Sequence, residues 1–217
     1  SAVAGVNIVN SGLTEAEKRL DMLAGANLVN RAGGIISGHD VGLTALTGDV
    51  VNERTVTTHQ SSGGGYTRQE QRDLADSAAR IEAGNDLTVK AGQDINIIGG
   101  ALQSGQDMSL SATRDVNVSS VQVSNSVAQG GKYTSDDTTQ LGSRLDAGRD
   151  LTADAGRDIA VIASDVDAER DLSLDADENL TISSAANEQH SLFKSKELKI
   201  QEDHVSQVMS NVTAGGD

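Results

Sequence analysis

The chain contains no cysteine, no proline and no tryptophan, and it has only three aromatic residues among its 217. Disulfide scaffolds and thiolate metal sites both need cysteine and are therefore excluded. No apolar run approaches the roughly 18 residues of a membrane-spanning helix. We also expect no signal peptide, since no basic segment precedes an apolar one. The formal net charge of −15 argues against nucleic-acid binding, which relies on Lys and Arg.

Three aromatic residues are too few for an ordinary globular core, in which large rings bury much of the apolar area. Glycine, by contrast, is abundant, with 23 residues. The composition therefore leaves two alternatives: a disordered chain, or a core built repetitively from small and β-branched residues.

A seven-residue motif recurs eight times and favours the repetitive core. It reads A-G-N-D-L-T-V at 83–89 and A-G-Q-D-I-N-I at 91–97. A short step and a longer step alternate between motifs, so two motifs make a unit of about 21 residues. The whole block then recurs from Asp86 to Asp150, a long period that corresponds to about three units. The acidic or amide position is held by Asp86, Asp94, Asp107, Asp115, Asp150, Asp158, Asp171 and Asn179.

Each part of the motif has a physical interpretation. The apolar–polar–apolar triplet after the Asp or Asn predicts a short strand with one buried face. The small residue and glycine before it predict a tight turn, in which the Asp or Asn side chain binds backbone N–H groups. Strands one unit apart can stack as coils about 4.8 Å apart, with like residues in ladders. We therefore predict an all-β fold, a right-handed parallel β-helix of about 21 residues per coil.

The motif also divides the chain. We expect looser repeats at 1–54, a motif-poor segment at 55–82 and regular repeats at 83–217. Within the last part, motif coils occupy 83–118 and 147–182, motif-poor segments occupy 119–146 and 183–213, and the final repeat is cut at 217. Each motif-poor segment is interpreted as one coil plus an extra-helical hairpin or loop. Because these segments recur about every three coils, the hairpins should line up on one flank.

Each motif-poor segment holds one aromatic residue: Tyr66, Tyr133 or Phe193. An exposed aromatic row on that flank could contact a partner or a membrane. Alternatively, each ring anchors its own loop onto the helix. The stretch Leu13–Leu23 differs again, since Thr14 and Glu17 form a capping box that predicts a short helix.

Other site chemistries find little support in the sequence. His39, His59, His190 and His204 lack any metal-ligand spacing. The acidic stretch 165–178 lacks the nonapeptide spacing of calcium-binding β-rolls, and the glycines at 63–65 are not followed by the Lys-Ser/Thr of a phosphate loop. We expect no catalytic residues, no metal and no cofactor. A polysaccharide-cleaving β-helix enzyme would need convergent acidic and basic residues, and none lies outside the needs of the repeat itself.

The A-G-x-D-L-x-L-x-A-G-x-D-I pattern and the segment L-V-N-R-A-G-G-I-I-S-G-H-D-V at 28–41 resemble the haemagglutinin repeats of the filamentous haemagglutinin family. These are large exoproteins of bacterial two-partner secretion. The segments N-E-R-T-V-T-T-H-Q-S-S at 52–62 and D-S-A-A-R-I-E-A-G-N-D-L at 76–87 resemble, within that family, the contact-dependent growth-inhibition effectors.

The resemblance implies export through an outer-membrane transporter and folding into a β-helical filament, secreted or at the bacterial cell surface. Residues 83–182 look like the repeat block associated with toxin delivery into a target cell, and 24–49 look like the preceding repeat type or the junction between the two. The implied partners are the transporter and the surface or outer membrane of the target cell, with no nucleic acid. Exposed strand edges could also let the segment self-associate end to end or edge to edge. Two non-enzymatic functions stay open: a stem or toxin-delivery segment, and an adhesin surface that binds host or bacterial receptors.

Overall fold

The computed structural model describes residues 1–63 and 67–216 and places 25 strands, and no helix, within them. Nineteen strands build the coils and six build hairpins that project from them. Every coil strand pairs in parallel with the equivalent strand of the neighbouring coil, for example Leu87 with Met108 and Met108 with Leu151. The predicted β-helix is therefore confirmed.

Each complete coil contributes a strand to three parallel stacks. The first stack contains the N-terminal halves of Leu13–Ala24 and Ile35–Ala45, followed by Arg80–Ala83, Ala101–Ser104, Arg144–Ala147, Asp165–Ala168 and Asn211–Ala214. The second contains Ala2–Ala4, the C-terminal halves of the same two long strands, Leu87–Ala91, Met108–Ala112, Leu151–Ala155 and Leu172–Ala176. The third contains Ile8–Asn10, Leu28–Asn30, Val50–Glu53, Ile95–Ile98, Val116–Ser119, Asp158–Ile162 and Asn179–Ser183.

Alternating burial along these strands builds a narrow aliphatic core. In Leu87–Ala91, residues 87, 89 and 91 are buried and the two residues between them are not. Parallel pairing places like positions above one another, so that Leu102 lies between Ile81 and Leu145 in adjacent coils. A core assembled from such ladders is filled by Leu, Ile, Val and Ala, which explains why the chain needs so few aromatic residues.

Close stacking of the coils favours glycine at several of the turns, whereas Thr113, Glu169 and Asp177 occupy the equivalent position in other coils. The Gly105 N–H donates to the carbonyl of Ala83 in the coil before it, at 3.0 Å. A Cβ on Gly105 would lie 2.1 Å from the carbonyl oxygen of Gly84, closer than any side chain allows. The recurrent glycine thus keeps successive turns at the spacing that strand pairing demands.

The three motif-poor segments form a second structure outside the coils, here called the hairpin sheet. Its strands are Val56–Gly63, Arg68–Ala75, Val121–Gln129, Tyr133–Leu141, Ala185–Lys194 and Lys199–Val208. All neighbouring strands are antiparallel, and adjacent hairpins pair with one another to give one six-stranded sheet. None of the described residues in these strands is fully buried. The expected alignment of extra-helical hairpins on one flank is confirmed.

The spacing of the hairpins differs from the expectation. Coil partners lie a single sequence unit apart where no hairpin intervenes, as for Leu87 and Met108, but Met108 and Leu151 are separated by a hairpin. The long period from Asp86 to Asp150 therefore contains two coils and one hairpin, rather than three coils. A motif-poor segment needs no coil of its own, because the hairpin leaves the third stack and returns directly to the first.

The helix expected at Leu13–Leu23 is also wrong, because Leu13–Ala24 is a strand. It pairs in parallel with Ile35–Ala45, with a register shift between Ala16 and Arg19. Pairing places Leu20, Met22 and Ala24 in the core, whereas an isolated helix of this length is marginal in water. The Thr14 hydroxyl, predicted to cap a helix, donates instead to Asn10 Oδ1 at 3.0 Å.

Candidate interaction surfaces

The predicted Asp and Asn positions lie one above another along the turns that precede the second- and third-stack strands. The Asp107 N–H donates to Asp86 Oδ1 at 3.3 Å, and the Asp115 N–H donates to Asp94 Oδ1 at 3.2 Å. Asp158 and Asp171 repeat this bond with Asp115 and Asp150, and Asn179 Nδ2 donates to Asp158 Oδ1. These side chains join one coil to the next.

Arginines bind the same carboxylates from the following coil, a feature that the sequence analysis missed. The four pairs, with their Nε–Oδ1 distances, are Arg114–Asp94 at 2.9 Å, Arg149–Asp107 at 2.6 Å, Arg157–Asp115 at 2.8 Å and Arg170–Asp150 at 2.7 Å. In each pair the second guanidinium nitrogen also contacts the second carboxylate oxygen, which gives the bidentate geometry typical of strong ion pairs. The signal was present, since each of these arginines directly precedes a motif Asp.

The arginine pairs change the acid–base properties of the turn. The hydrogen bond from Arg149 holds the pKa of Asp107 below its usual value, and Arg157 and Arg170 do the same for the pKa of Asp115 and of Asp150. A carboxylate with a lower pKa in the folded than in the unfolded chain adds stability above the unfolded pKa. That contribution is lost as the pH falls through the folded pKa.

We therefore expect the coils to lose stability as the pH is lowered from about 5 to about 2, across the ordinary carboxyl pKa near 4. The measurement is the urea midpoint of β-sheet circular dichroism across that pH range. A variant with Arg149, Arg157 and Arg170 all changed to Gln is the control and should lose less over the same interval. An identical loss in both proteins would show that these ion pairs do not set the acid sensitivity.

A buried polar ladder lies at the corner where the third stack turns toward the first. Asn10, Asn30 and Asn52 are buried, and their side chains form a chain of amide hydrogen bonds of 2.8 Å from coil to coil. In the coil that follows the first hairpin, Ile97 occupies the register position of Asn52. In later coils the Ser143 N–H donates to Ser164 Oγ, and the Ser143 hydroxyl donates to the Ser119 carbonyl at the same corner. The signal that could have found this ladder is an aliphatic–Val–Asn triplet at 8–10, 28–30 and 50–52.

The other polar residues considered from the sequence do not assemble into a site. His190 Nδ1 lies 2.8 Å from Asp203 Oδ1, and this bond raises the pKa of His190, but the pair is exposed on the hairpin sheet. His39 lies beside Asp40, and Thr213 bonds to Asp167 of the acidic stretch. In the part of the chain that the structure describes, no three His, Asp or Glu side chains come close enough to hold a metal ion.

Two of the three aromatic residues meet at the far end of the hairpin sheet. Tyr133 pairs directly with Phe193 across neighbouring hairpins, and Phe193 pairs in turn with Ile200. All three are exposed, Tyr133 by 38% and Phe193 by 43%. Both rings lie at the strand ends remote from the coils, so they do not anchor their loops onto the β-helix. Tyr66 lies outside the described residues.

Stacked coils, with polar hairpins repeated on one flank, define a β-solenoid. A family model for the hemagglutinin repeat matches residues 60–129 and 127–217, and the chain belongs to that family. No curated protein and no solved structure matches the chain. Hemagglutinin repeats are structural, adhesin-type repeats of secreted surface proteins, and the filamentous haemagglutinin family works with two-partner secretion transporters. The described residues include no helix that could span a membrane.

Proposed function

We propose that this chain is the stem and toxin-delivery repeat region of a contact-dependent growth-inhibition effector. The observation that carries the proposal is the hairpin sheet, a continuous polar surface that adds one hairpin for every two coils. A stem that serves only as a spacer needs no such sheet, because the β-helix closes its coils without it. The linker Gly99–Gly100 alone connects Ile95–Ile98 to Ala101–Ser104.

The long period of the sequence supports the same proposal. Parallel stacking allows coils to be added or removed without disturbing register, since each repeat contacts chiefly its neighbours. Each added period of two coils and one hairpin would therefore lengthen the stem and widen the hairpin sheet at the same time. In this proposal the parent exoprotein is exported through a two-partner secretion transporter and acts at the surface or outer membrane of a target cell.

The experiment removes the hairpin sheet from the parent exoprotein while keeping the coils. Residues 56–75, 121–141 and 185–208 are each replaced by Gly-Gly, the linker that the chain itself uses between Ile98 and Ala101. We expect normal export and surface display but loss of target-cell killing. The matched control deletes 80–143, which removes two coils and one hairpin and joins equivalent positions, because Arg80, Ala101 and Arg144 share one register. We expect that control to keep most of its killing.

A cell-binding experiment with the isolated chain tests the adhesin alternative. Its two described aromatic residues are exposed at the end of the hairpin sheet, where a receptor could reach them. Saturable attachment to intact cells that is lost when Tyr133 and Phe193 are changed to Ser would favour an adhesin. Killing that persists without the hairpins would refute the delivery role.

A further inference from the structure

The remote end of the hairpin sheet carries a positive charge that the rest of this acidic chain lacks. Four of the six lysines of the sequence lie in or beside two hairpin turns: Lys132, Lys194, Lys196 and Lys199. These four residues are here called the lysine tip. Glu197 is the one acidic residue among positions 130–133 and 194–199, so this end is net positive in a chain of net charge −15.

Backbone hydrogen bonds hold the segments of the lysine tip together at one edge of the hairpin sheet. The Lys194 N–H donates to the Lys132 carbonyl at 2.7 Å, which links the second hairpin to the third. The Gly130 N–H contacts the Thr67 carbonyl at 3.4 Å, which brings in the first hairpin. All four lysines are exposed.

No ion pair of the described residues neutralises this charge, and Lys199 acts only weakly on a carboxylate: the hydrogen bond from His190 chiefly lowers the pKa of Asp203, and Lys199 adds to that lowering. Lys194 and Lys199 are direct cross-strand partners, and like charges in that position are destabilising. No lysine of the tip forms an ion pair with any described residue, whereas most arginines of the coils are paired with carboxylates. An external anion would relieve the repulsion between these two lysines.

Apolar side chains accompany the lysines. Tyr133 and Phe193 directly adjoin Lys132 and Lys194 in sequence, and Leu198 and Ile200 flank Lys199, with about half of each aliphatic side chain exposed. Aromatic rings beside long cationic side chains suit a bilayer interface, where rings enter the headgroup region and ammonium groups stay at the phosphates.

Distance separates the lysine tip from the acidic coils. The strand Tyr133–Leu141 has nine residues and spans about 30 Å at roughly 3.4 Å per residue. The Debye length in physiological salt is about 8 Å, so the negative charge of the coils is largely screened at the tip. A protein with a net charge of −15 can thus present a locally positive end to an anionic surface.

We propose that the lysine tip and its aromatic neighbours dock this chain on an anionic phospholipid bilayer, with the hairpin turns facing the headgroups. The proposal goes beyond toxin delivery, since it concerns a lipid surface and holds for a stem or an adhesin alike. A sulfated glycan would attract the lysines but offers no apolar layer for the exposed Leu198 and Ile200.

The test is flotation of the 217-residue chain with vesicles of zwitterionic phospholipid alone or mixed with anionic phospholipid. We expect binding to the mixed vesicles only, weakening as salt is raised. Changing Lys194 and Lys199 to Gln should weaken binding about 25-fold, at about fivefold for each lysine near an anionic membrane. The charge-matched control changes Lys18 and Lys90 to Gln, two exposed lysines of the coils, and should bind as the parent does.

A second variant separates lipid from a simple polyanion. Changing Tyr133 and Phe193 to Ser should weaken vesicle binding about tenfold through lost apolar contact and leave retention on a heparin column unchanged. No binding of the β-folded chain to mixed vesicles, or equal binding to both vesicle types, would overturn the proposal. Equal losses of vesicle binding in the Lys194 and Lys199 variant and in the Lys18 and Lys90 control would also overturn it. Vesicle binding that does not change when Tyr133 and Phe193 are replaced would do the same.

Discussion

Replacing Asn30 with alanine is expected to destabilise the N-terminal coils by about 4 kcal/mol. The two amide hydrogens and the Oδ1 atom support three hydrogen bonds at about 1 kcal/mol each, and an orphaned buried acceptor adds about 1 more. The Asn30 side chain is fully buried. Its Nδ2 lies within 3.0 Å of Asn52 Oδ1 and of the carbonyl oxygens of Gly34 and Arg80, and its Oδ1 accepts from Asn10. Alanine removes these bonds and leaves Asn52 Oδ1 without its donor.

The measurement is hydrogen exchange, resolved by peptide, because each coil of a solenoid contacts only its neighbours and opens locally. Protection should fall in peptides covering 28–53 and stay unchanged beyond 144. The control is Asn117→Ala, at an outward-facing position where the side chain donates one hydrogen bond, to Asn96 at 3.0 Å. Similar losses in the two variants would contradict a special role for the buried ladder.

Replacing Leu102 with alanine is expected to cost about 4 kcal/mol, near the upper end for a large-to-small change in a core. Leu102 is fully buried between Ile81 and Leu145, its register partners in the adjacent coils. Hydrogen-bonded strands hold these coils at a fixed spacing of about 4.8 Å. The neighbouring side chains therefore cannot collapse into the space that the leucine leaves.

The matched control is Leu74→Ala in the hairpin sheet, where the leucine is 50% exposed and the change should cost less than about 1 kcal/mol. The free energies come from urea unfolding followed by β-sheet circular dichroism, with peptide exchange to show where the structure opens. If Leu102→Ala were no more harmful than Leu74→Ala, the aliphatic ladder would not be the main source of coil stability.

The buried ladders and the exposed hairpin sheet occupy separate parts of the chain. Ladders of aliphatic, amide and carboxylate side chains hold the β-helix together, and similar residues recur at each level. The hairpin sheet has no buried residue among those described, so its surface can vary without disturbing the core. The assignment of 1–54 and 83–217 to two repeat types stays a prediction. At one buried register position, Asn52 of the first block is followed by Ile97 of the second.

Local patterns in the chain were enough to predict the β-helix. The alternation in L-T-V at 87–89 and the preceding small residue and glycine predict a strand and a turn within one short segment. Recurrence of that segment in units of about 21 residues predicts that the strands stack as coils. Local sequence patterns could not predict the structure of the segments that lie between the motifs. The count of three units in the long period gave each motif-poor segment a coil of its own beside its hairpin, and the capping box at Thr14 and Glu17 wrongly predicted a helix.

Tertiary pairing was needed to show that the motif-poor segments form one sheet, because Asn125 pairs with Arg72 and Tyr133 with Phe193 across more than fifty residues of sequence. It was also needed to show that Arg149 reaches Asp107 one coil away and that Lys132 meets Lys194 at a shared end. These contacts depend on how many residues form each hairpin between one coil and the next. The length of a hairpin becomes apparent only when its strands are paired in the folded molecule, so a short sequence segment does not reveal it.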